Sequence, residues 1–547
     1  MSKKRYSIGL DFGTLSARAV LVDVESGAPM PYESIFCYPH GVITELYGKS
    51  LPKGFALQHP SDYIDALKFL LCDLLNENDI DKSAVIGIGI DFTDCTVLPV
   101  NEDFVPLCML KKYENEPHAY PKLWKHHANE EYTQKISDTA NEFCPEILNI
   151  TGGKITSEFL IPKLYEIYAD AKDVYNDTYK FLSAGDFIAS LLIGKRELHS
   201  KAFSAKQHYR DLEYPKKEFL AAIDAGFCDV YEEKTVAELS SVELPVGSLS
   251  HEWAELTGLS KSVKIAAPIV DAHGSIAASG IEPNRGYVVL GTSATVEIVT
   301  PSDITVNGAI ATSYESVASG LYTIESALAA MGDLFDWFVK SSVPEAYSLV
   351  AREKGLNMHE YLTALAEKQG VGEHGLIALD WWNGSRSVIL DNKLSGLIVG
   401  LRISSKPEDI YRALIESTAF SIRRILDCFG SQGITVSRLS ATGGITLKNP
   451  MLMQILASVL NMPIECIASK QATAIGSAIY GAVAGGAYGS VTEASSAMKC
   501  PVARVYMPID SDAQKYNELY SQYYKLREAF SSGELKDTME YLANTRK

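Results

Sequence analysis

Two aspartates stand at the ends of apolar runs, where a fold by itself needs only a turn residue or a cap. In SIGLDFGTLSARAVLVD, Asp11 is followed by Gly13 and Thr14; in KIAAPIVDAHGSIAASG, Asp271 follows Ile269-Val270 and opens a run of small residues. A carboxylate, a glycine and a hydroxyl at one turn are suited to holding a metal–phosphate group. Gly13 lets the backbone approach a bulky anion, and Thr14 and the turn amides can donate to phosphate oxygens. Asp11 would repel a phosphate directly, so its role there is to hold a hydrated magnesium ion. Asp271 is a weak base, but phosphoryl transfer has a loose transition state and asks only that a hydroxyl be positioned and its proton accepted late. Each aspartate also has a plain structural explanation, a turn carboxylate capping its own backbone or, for Asp271, a helix N-cap.

Two further stretches carry the same kind of chemistry. In YVVLGTSATVEIV the turn Gly291-Thr292-Ser293 joins two apolar strands, repeating the logic of the opening. In SATGGITLKNPMLMQILA a strand ends at Gly443-Gly444, and a helix is expected from about Asn449-Pro450, since proline suits a first turn. A tight strand–helix turn explains one of those glycines; two allow a flat group such as adenine to lie against the backbone. Neither a GxxxxGK[ST] loop between strand and helix nor a GxGxxG opening unit is present. A bound nucleotide would therefore rest on the two hairpins and the glycine pair.

The elements that must position these groups alternate along the chain. Ile8 and Leu10 lead into the first turn and Ala19–Val22 lead out, which predicts a hairpin. SAVIGIGID reads as a buried strand, and DYIDALKFLLCDLL as a helix with a stripe at Leu67, Leu70, Leu71 and Leu74. IYRALIESTAFSIRRILDCF reads as a long helix running on to the strand of RLSATGG. This is an α/β pattern. Two strand–Gly-Thr–strand hairpins suggest two similar lobes sharing a cleft, with the boundary at IEPNRG. QATAIGSAIYGAVAGGAYG predicts a helix of small residues, suited to close packing behind a nucleotide site. Tyr516, Leu519, Tyr520, Tyr523 and Leu526 form a core-packing stripe in a C-terminal helix.

The totals limit the partners. A chain of 547 residues exceeds one ordinary core, and 46% hydrophobic with 22% charged residues describes a globular protein. A net charge of -18 argues against nucleic acid or an anionic membrane surface. The nine cysteines are scattered without a CxxC pair, as reduced thiols in the cytoplasm would be. No stretch is apolar enough to span a bilayer, and Asp11 interrupts any apolar signal core.

Against that background, GIDFTDCTVLPV, PHAYPKLWKHHA, GGKITSEFLIPK, IVDAHGS, WWNGSRSVILDNKLSGLIVGL, KPEDIYRALIEST and ATGGITLKNPMLMQI together resemble carbohydrate kinases of the FGGY family over roughly residues 5–530. WKHHA and GGKITSEFLIPK point within it to kinases of L-ribulose. The resemblance implies an α/β, two-lobed actin-like fold, with ATP and Mg2+ in the cleft and a ketopentose as acceptor. Its lobes would span residues 1–282 and 283–495, followed by a helical extension over 496–547; related kinases are often dimers. It implies Asp271 as general base, and Asp11 with Asp271 at the metal. Gly13, Thr14, Gly291, Thr292 and Ser293 would face phosphates, with Gly443, Gly444 and Asn449 at the adenosine. Trp124, Lys206 and Glu325 would meet the sugar, offering a ring face, a donor and an acceptor.

Each sugar-side residue keeps a structural alternative: a core aromatic for Trp124, solvated surface charges for Lys206 and Glu325. The adjacent His126 and His127 read as structural. Three departures fall near the sugar. Asp94 replaces a small residue, Leu328 replaces a Gln, and the hairpin after Ser293 differs. They leave open another ketose or a polyol, such as xylulose, D-ribulose or ribitol. A non-catalytic sugar sensor and an actin-like chaperone ATPase are the rivals from other classes.

Overall fold

The computed structural model describes residues 4–204, 206, 214–236 and 238–545. Two seven-stranded sheets organise it. In the first, strands Tyr6–Phe12 and Ser16–Asp23 form the expected antiparallel hairpin, with Ser34–Cys37 beside the second of them. Strand Val85–Phe92 runs parallel to Tyr6–Phe12 on its other side, and Lys264–Ala266 and Ile269–Val270 run parallel to Val85–Phe92 in turn. Tyr6–Phe12 is buried at every position, as befits a strand covered on both faces. Helix Pro60–Glu77 covers the outer strands with the expected leucine stripe.

The second sheet repeats that plan. Strands Arg285–Leu290 and Ala294–Thr300 form the second hairpin, Tyr322–Leu328 pairs antiparallel with the latter, and Leu439–Thr442 and then Ile464–Ile467 run parallel beyond the former. Helix Pro407–Ser431 packs in this second core. Both lobes therefore offer the same edge to the site, the carboxyl ends of their parallel strands, where the backbone leaves the sheet and has free amides to give.

Two parts of the sequence-based division change. Helix Ala472–Ala484, assigned by sequence to the second lobe, lies in the first core across Tyr6–Phe12 and Val85–Phe92. Close approach is the reason: a Cβ on Gly9 or Gly89 would overlap the carbonyl of Ala474 or Ser477, and one on Gly476 the carbonyl of Gly274 in helix Asp271–Ser279. The run expected to form a terminal extension is integral to the second lobe. Strand Val502–Tyr506 is its edge strand, and helix Asp510–Ser531 buries Tyr516, Tyr520 and Tyr523 in its core. After Gly443 a short helix, Gly444–Lys448, forms before the expected one at Pro450–Leu460.

Candidate active site

Strand register assembles the first lobe's acids. Asp11 and Asp91 are partners on adjacent parallel strands, Asp91 pairs on its other side with Ile269, and Asp271 begins the helix that follows Val270. Side chains alternate along a strand, so Asp11 and Asp91 share the face of Gly9 and Gly89, just beyond the closely packed helix. The Ser477 hydroxyl of that helix donates to Asp91, whose Oδ1 has no partner among the described residues. Asp91 was not picked out from the sequence. The signal was there: GLDF at 9–12 and GIDF at 89–92 are near-copies, and their phenylalanines stack at 5.5 Å.

The electrostatics follow from burial. Burial raises the Asp11 carboxyl, opposed by Arg18 at 3.6 Å. Burial and then the charge of Asp11 push Asp91 well above the usual carboxylate range. Burial and Asp11 raise Asp271 to about 7, although the Ala272 amide donates to its Oδ1 at 2.9 Å. Asp271 is the first residue of its helix, with Val270 in the cap position. The N-cap explanation therefore does not account for it. Two buried carboxyls, Asp11 and Asp91, and a half-buried one, Asp271, with one partly exposed arginine are short of positive charge, and their hard oxygens suit a magnesium ion.

The turns are held open toward this edge. Gly13 donates to the Ser16 carbonyl at 3.0 Å, and Gly291 to that of Ser293 at 2.9 Å. The Thr292 carbonyl accepts from Met331 and Asp333, at the start of helix Gly332–Ser342, so the second turn is braced from behind. Thr292 itself is exposed, and Thr14 and Ser293 are half-buried. Gly443 lies alongside, with φ 98°, where any Cβ would strike the Leu290 carbonyl. Gly444 is exposed with open space where a Cβ would stand, which leaves room for a flat ring against the backbone. The Asn449 side chain caps helix Pro450–Leu460, accepting from Leu452 at 3.0 Å.

The residues expected at the sugar include an ion-paired group that joins the lobes. Lys206 is 4% exposed and Glu325 9%, so neither is the solvated charge that sequence alone allows. Lys206 Nζ lies 2.7 Å from Asp94 of the first lobe and 2.7 Å from Glu325 of the second. Burial alone would discharge the lysine; Asp94 and Glu325 outweigh it and hold the amine charged. Trp124 is half-buried, and its Nε1 donates to the Thr14 hydroxyl at 3.3 Å, tying the residue expected at the sugar to the first glycine turn. One ring face carries Arg386, 5.3 Å from the centroid. Arg386 also pairs with Glu158 at 2.6 Å and, with Lys206, overcomes the burial of Glu158 to hold it near 2. Glu158 and Arg386 lay inside GGKITSEFLIPK and WWNGSRS but were not singled out. His126 is buried against Glu166, a structural setting.

The comparisons with known proteins agree with this arrangement. A profile of the FGGY family of carbohydrate kinases, C-terminal domain, matches residues 286–485. A ribulokinase of Bacillus licheniformis is 39% identical over 94% of this chain and 94% of its own. One from Halalkalibacterium halodurans is 38% identical over 98% and 97%. Among solved structures, a ligand-bound xylulose kinase from Lactobacillus acidophilus superposes with a TM-score of 0.80 at 18% identity, covering 96% of this chain and 99% of its own. That last likeness speaks for the two-lobed, actin-like fold. Full-length identity at this level means that the chain belongs to the FGGY family of carbohydrate kinases.

Proposed function

We propose that this kinase transfers the γ-phosphoryl group of ATP to a ketopentose, with L-ribulose as the acceptor and L-ribulose 5-phosphate as the product. Support comes from the full-length likeness to proteins named ribulokinase. The observation that carries the reading is the buried Lys206, fixed between Asp94 and Glu325 within electrostatic reach of Asp271. One polar end for a sugar and one proton acceptor thus lie in the same interlobe site.

In this reading Asp271 takes the proton of the attacked sugar hydroxyl as the oxygen bonds to the γ-phosphorus and ADP leaves. The turn amides at 13–14 and 291–293 donate to the phosphoryl oxygens, where charge spreads in a loose transition state. Gly443 and Gly444 lie against the adenosine. Asp11, Asp271 and Asp91 form the acidic edge that suits Mg2+, which when bound neutralises charge on the phosphates. Lys206 and Trp124 orient the sugar, and closure of the lobes excludes water that would otherwise take the phosphoryl group.

A panel of L-ribulose, D-ribulose, D-xylulose and ribitol in an ADP-release assay tests this. L-ribulose should give the highest kcat/KM. A clear preference for another member would reassign the acceptor, and sugar binding without ADP release would favour a sensor. The feature that favours a different acceptor is Asp94, which occupies Lys206 from the first lobe.

A further inference from the structure

A carboxyl group across from Glu325 has nothing to bond with. Glu297, in strand Ala294–Thr300, is 1% exposed, and neither Oε1 nor Oε2 has a hydrogen-bond partner among the described residues. The antiparallel register sets it directly opposite Glu325. Directly opposed side chains leave the same face of a sheet, with Cβ atoms about 5 Å apart. That is the face from which Glu325 reaches Lys206. Burial and then the charge of Glu325 push the Glu297 carboxyl well above the usual carboxylate range; Lys206 opposes the rise, and Asp271 and Asp94 add to it, so all four groups lie within electrostatic reach.

The other carboxylates there are already engaged. Asp94 accepts from the Cys95 amide through Oδ1 and from Lys206 through Oδ2, and both oxygens of Glu325 face Lys206. From the first lobe, His273 shows a matching defect. It is 3% exposed, its Nδ1 has no hydrogen-bond partner among the described residues although the ring bonds the Ser316 backbone, and Asp94 and Lys206 act on it electrostatically. Buried polar atoms are nearly always bonded, and an unbonded one marks a place that a missing partner completes. Here two such residues, one from each lobe, lie within electrostatic reach of the same lysine.

We infer that Glu297 is a sugar-contacting residue, hydrogen-bonding to adjacent hydroxyls of the acceptor and thereby selecting sugars that carry a vicinal diol at that position. A protonated carboxyl with both oxygens unbonded engages two neighbouring hydroxyls, accepting from one on its carbonyl oxygen and donating its O–H to the other. The assignment rests on the ketopentose-kinase reading above and specifies which carboxyl of that site does the recognition. It also gives a purpose to the altered hairpin after Ser293, which is where Glu297 lies.

The test uses the full chain carrying Glu297→Leu and, separately, Glu297→Gln, with L-ribulose and ATP as the varied substrates. The Leu variant should raise KM for L-ribulose about ten- to a hundredfold, the scale of one or two lost hydrogen bonds to a carboxyl group. KM for ATP should stay unchanged. Its sugar-free melting temperature should not fall, because an apolar side chain replaces an unbonded buried carboxyl. The Gln variant keeps the shape and one acceptor, so its sugar KM should lie between. It decides the matter should the Leu variant not fold. An unaltered sugar KM in the Gln and Leu variants, with a lowered melting temperature, would make Glu297 a structural residue and overturn the inference alone. Failure of the unsubstituted enzyme to phosphorylate L-ribulose would instead overturn the reading on which it rests.

Discussion

Replacing Lys206 by methionine keeps the stem and removes the charge, which isolates what the ammonium does. At 2.7 Å and an effective dielectric constant of ~20, each of its two ion pairs has a gross attraction of about 6 kcal/mol. Most of that is offset by the cost of drying three charges, so the intact trio contributes little net stability. Removal is not symmetric with formation. It strands two carboxylates, one of them 9% exposed, and breaking a buried pair from one side costs about 3–5 kcal/mol. The loss has a sign in pH. Burial already raises the Glu325 carboxyl, and Lys206 opposes the rise. Without the lysine its folded pKa moves further above the unfolded value of about 4.3, so the folded state binds an extra proton across a wider window. Stability then declines as pH climbs through that window. Urea unfolding followed by circular dichroism should show a deficit in Lys206→Met that is larger at pH 8 than at pH 5. Adding Asp94→Ala should recover part of it. A deficit below about 1 kcal/mol, the scale of an exposed pair, or one equal at both pH values would refute the argument.

Other expectations follow from the same geometry. Asp271→Ala should lower turnover by roughly 10²–10⁴-fold with sugar binding retained, the usual scale for a lost general base, and near-normal turnover would remove its assignment. Because Asp271 titrates near 7 and only its ionised form accepts a proton, kcat/KM measured with both substrates far below saturation should fall about tenfold per pH unit below that value. Saturating magnesium and ATP should move this acid limb to lower pH, since a cation favours the carboxylate; a limb unmoved by them would place the titration elsewhere. Gly476→Ala drives a methyl into the Gly274 carbonyl of the helix that Asp271 opens. Melting temperature and turnover should drop together, with a stability loss of about 1–3 kcal/mol. A variant with both intact would show that the two helices can separate freely.

Much of the fold was legible because its signals are local. Apolar alternation broken by glycine and threonine specifies a hairpin, and both expected hairpins formed. The leucine stripe of helix Pro60–Glu77 and the tyrosine stripe of helix Asp510–Ser531 turned inward as their spacing required. Asp11 and Asp271 stood out because a charge at the end of an apolar strand is anomalous on its own. Asp91 was missed, although its GIDF copies the opening GLDF, because the likeness becomes meaningful only once the two strands are known to be neighbours.

Composition, turn chemistry and periodicity thus determined an acidic α/β protein with two hairpin-bearing halves, and marked Asp11 and Asp271 as the aspartates to examine for phosphate chemistry. Tertiary structure alone decided that helix Ala472–Ala484 returns to the first lobe, where glycines on both partners permit backbone contact. It also decided that Lys206 is caught between Asp94 and Glu325, and that Glu297 is buried without a hydrogen-bond partner among the described residues. The physical reason is distance along the chain. Positions 94, 206 and 325 are each more than a hundred residues from the next, and no local pattern tells a lysine bound for water from one that will be closed between two lobes.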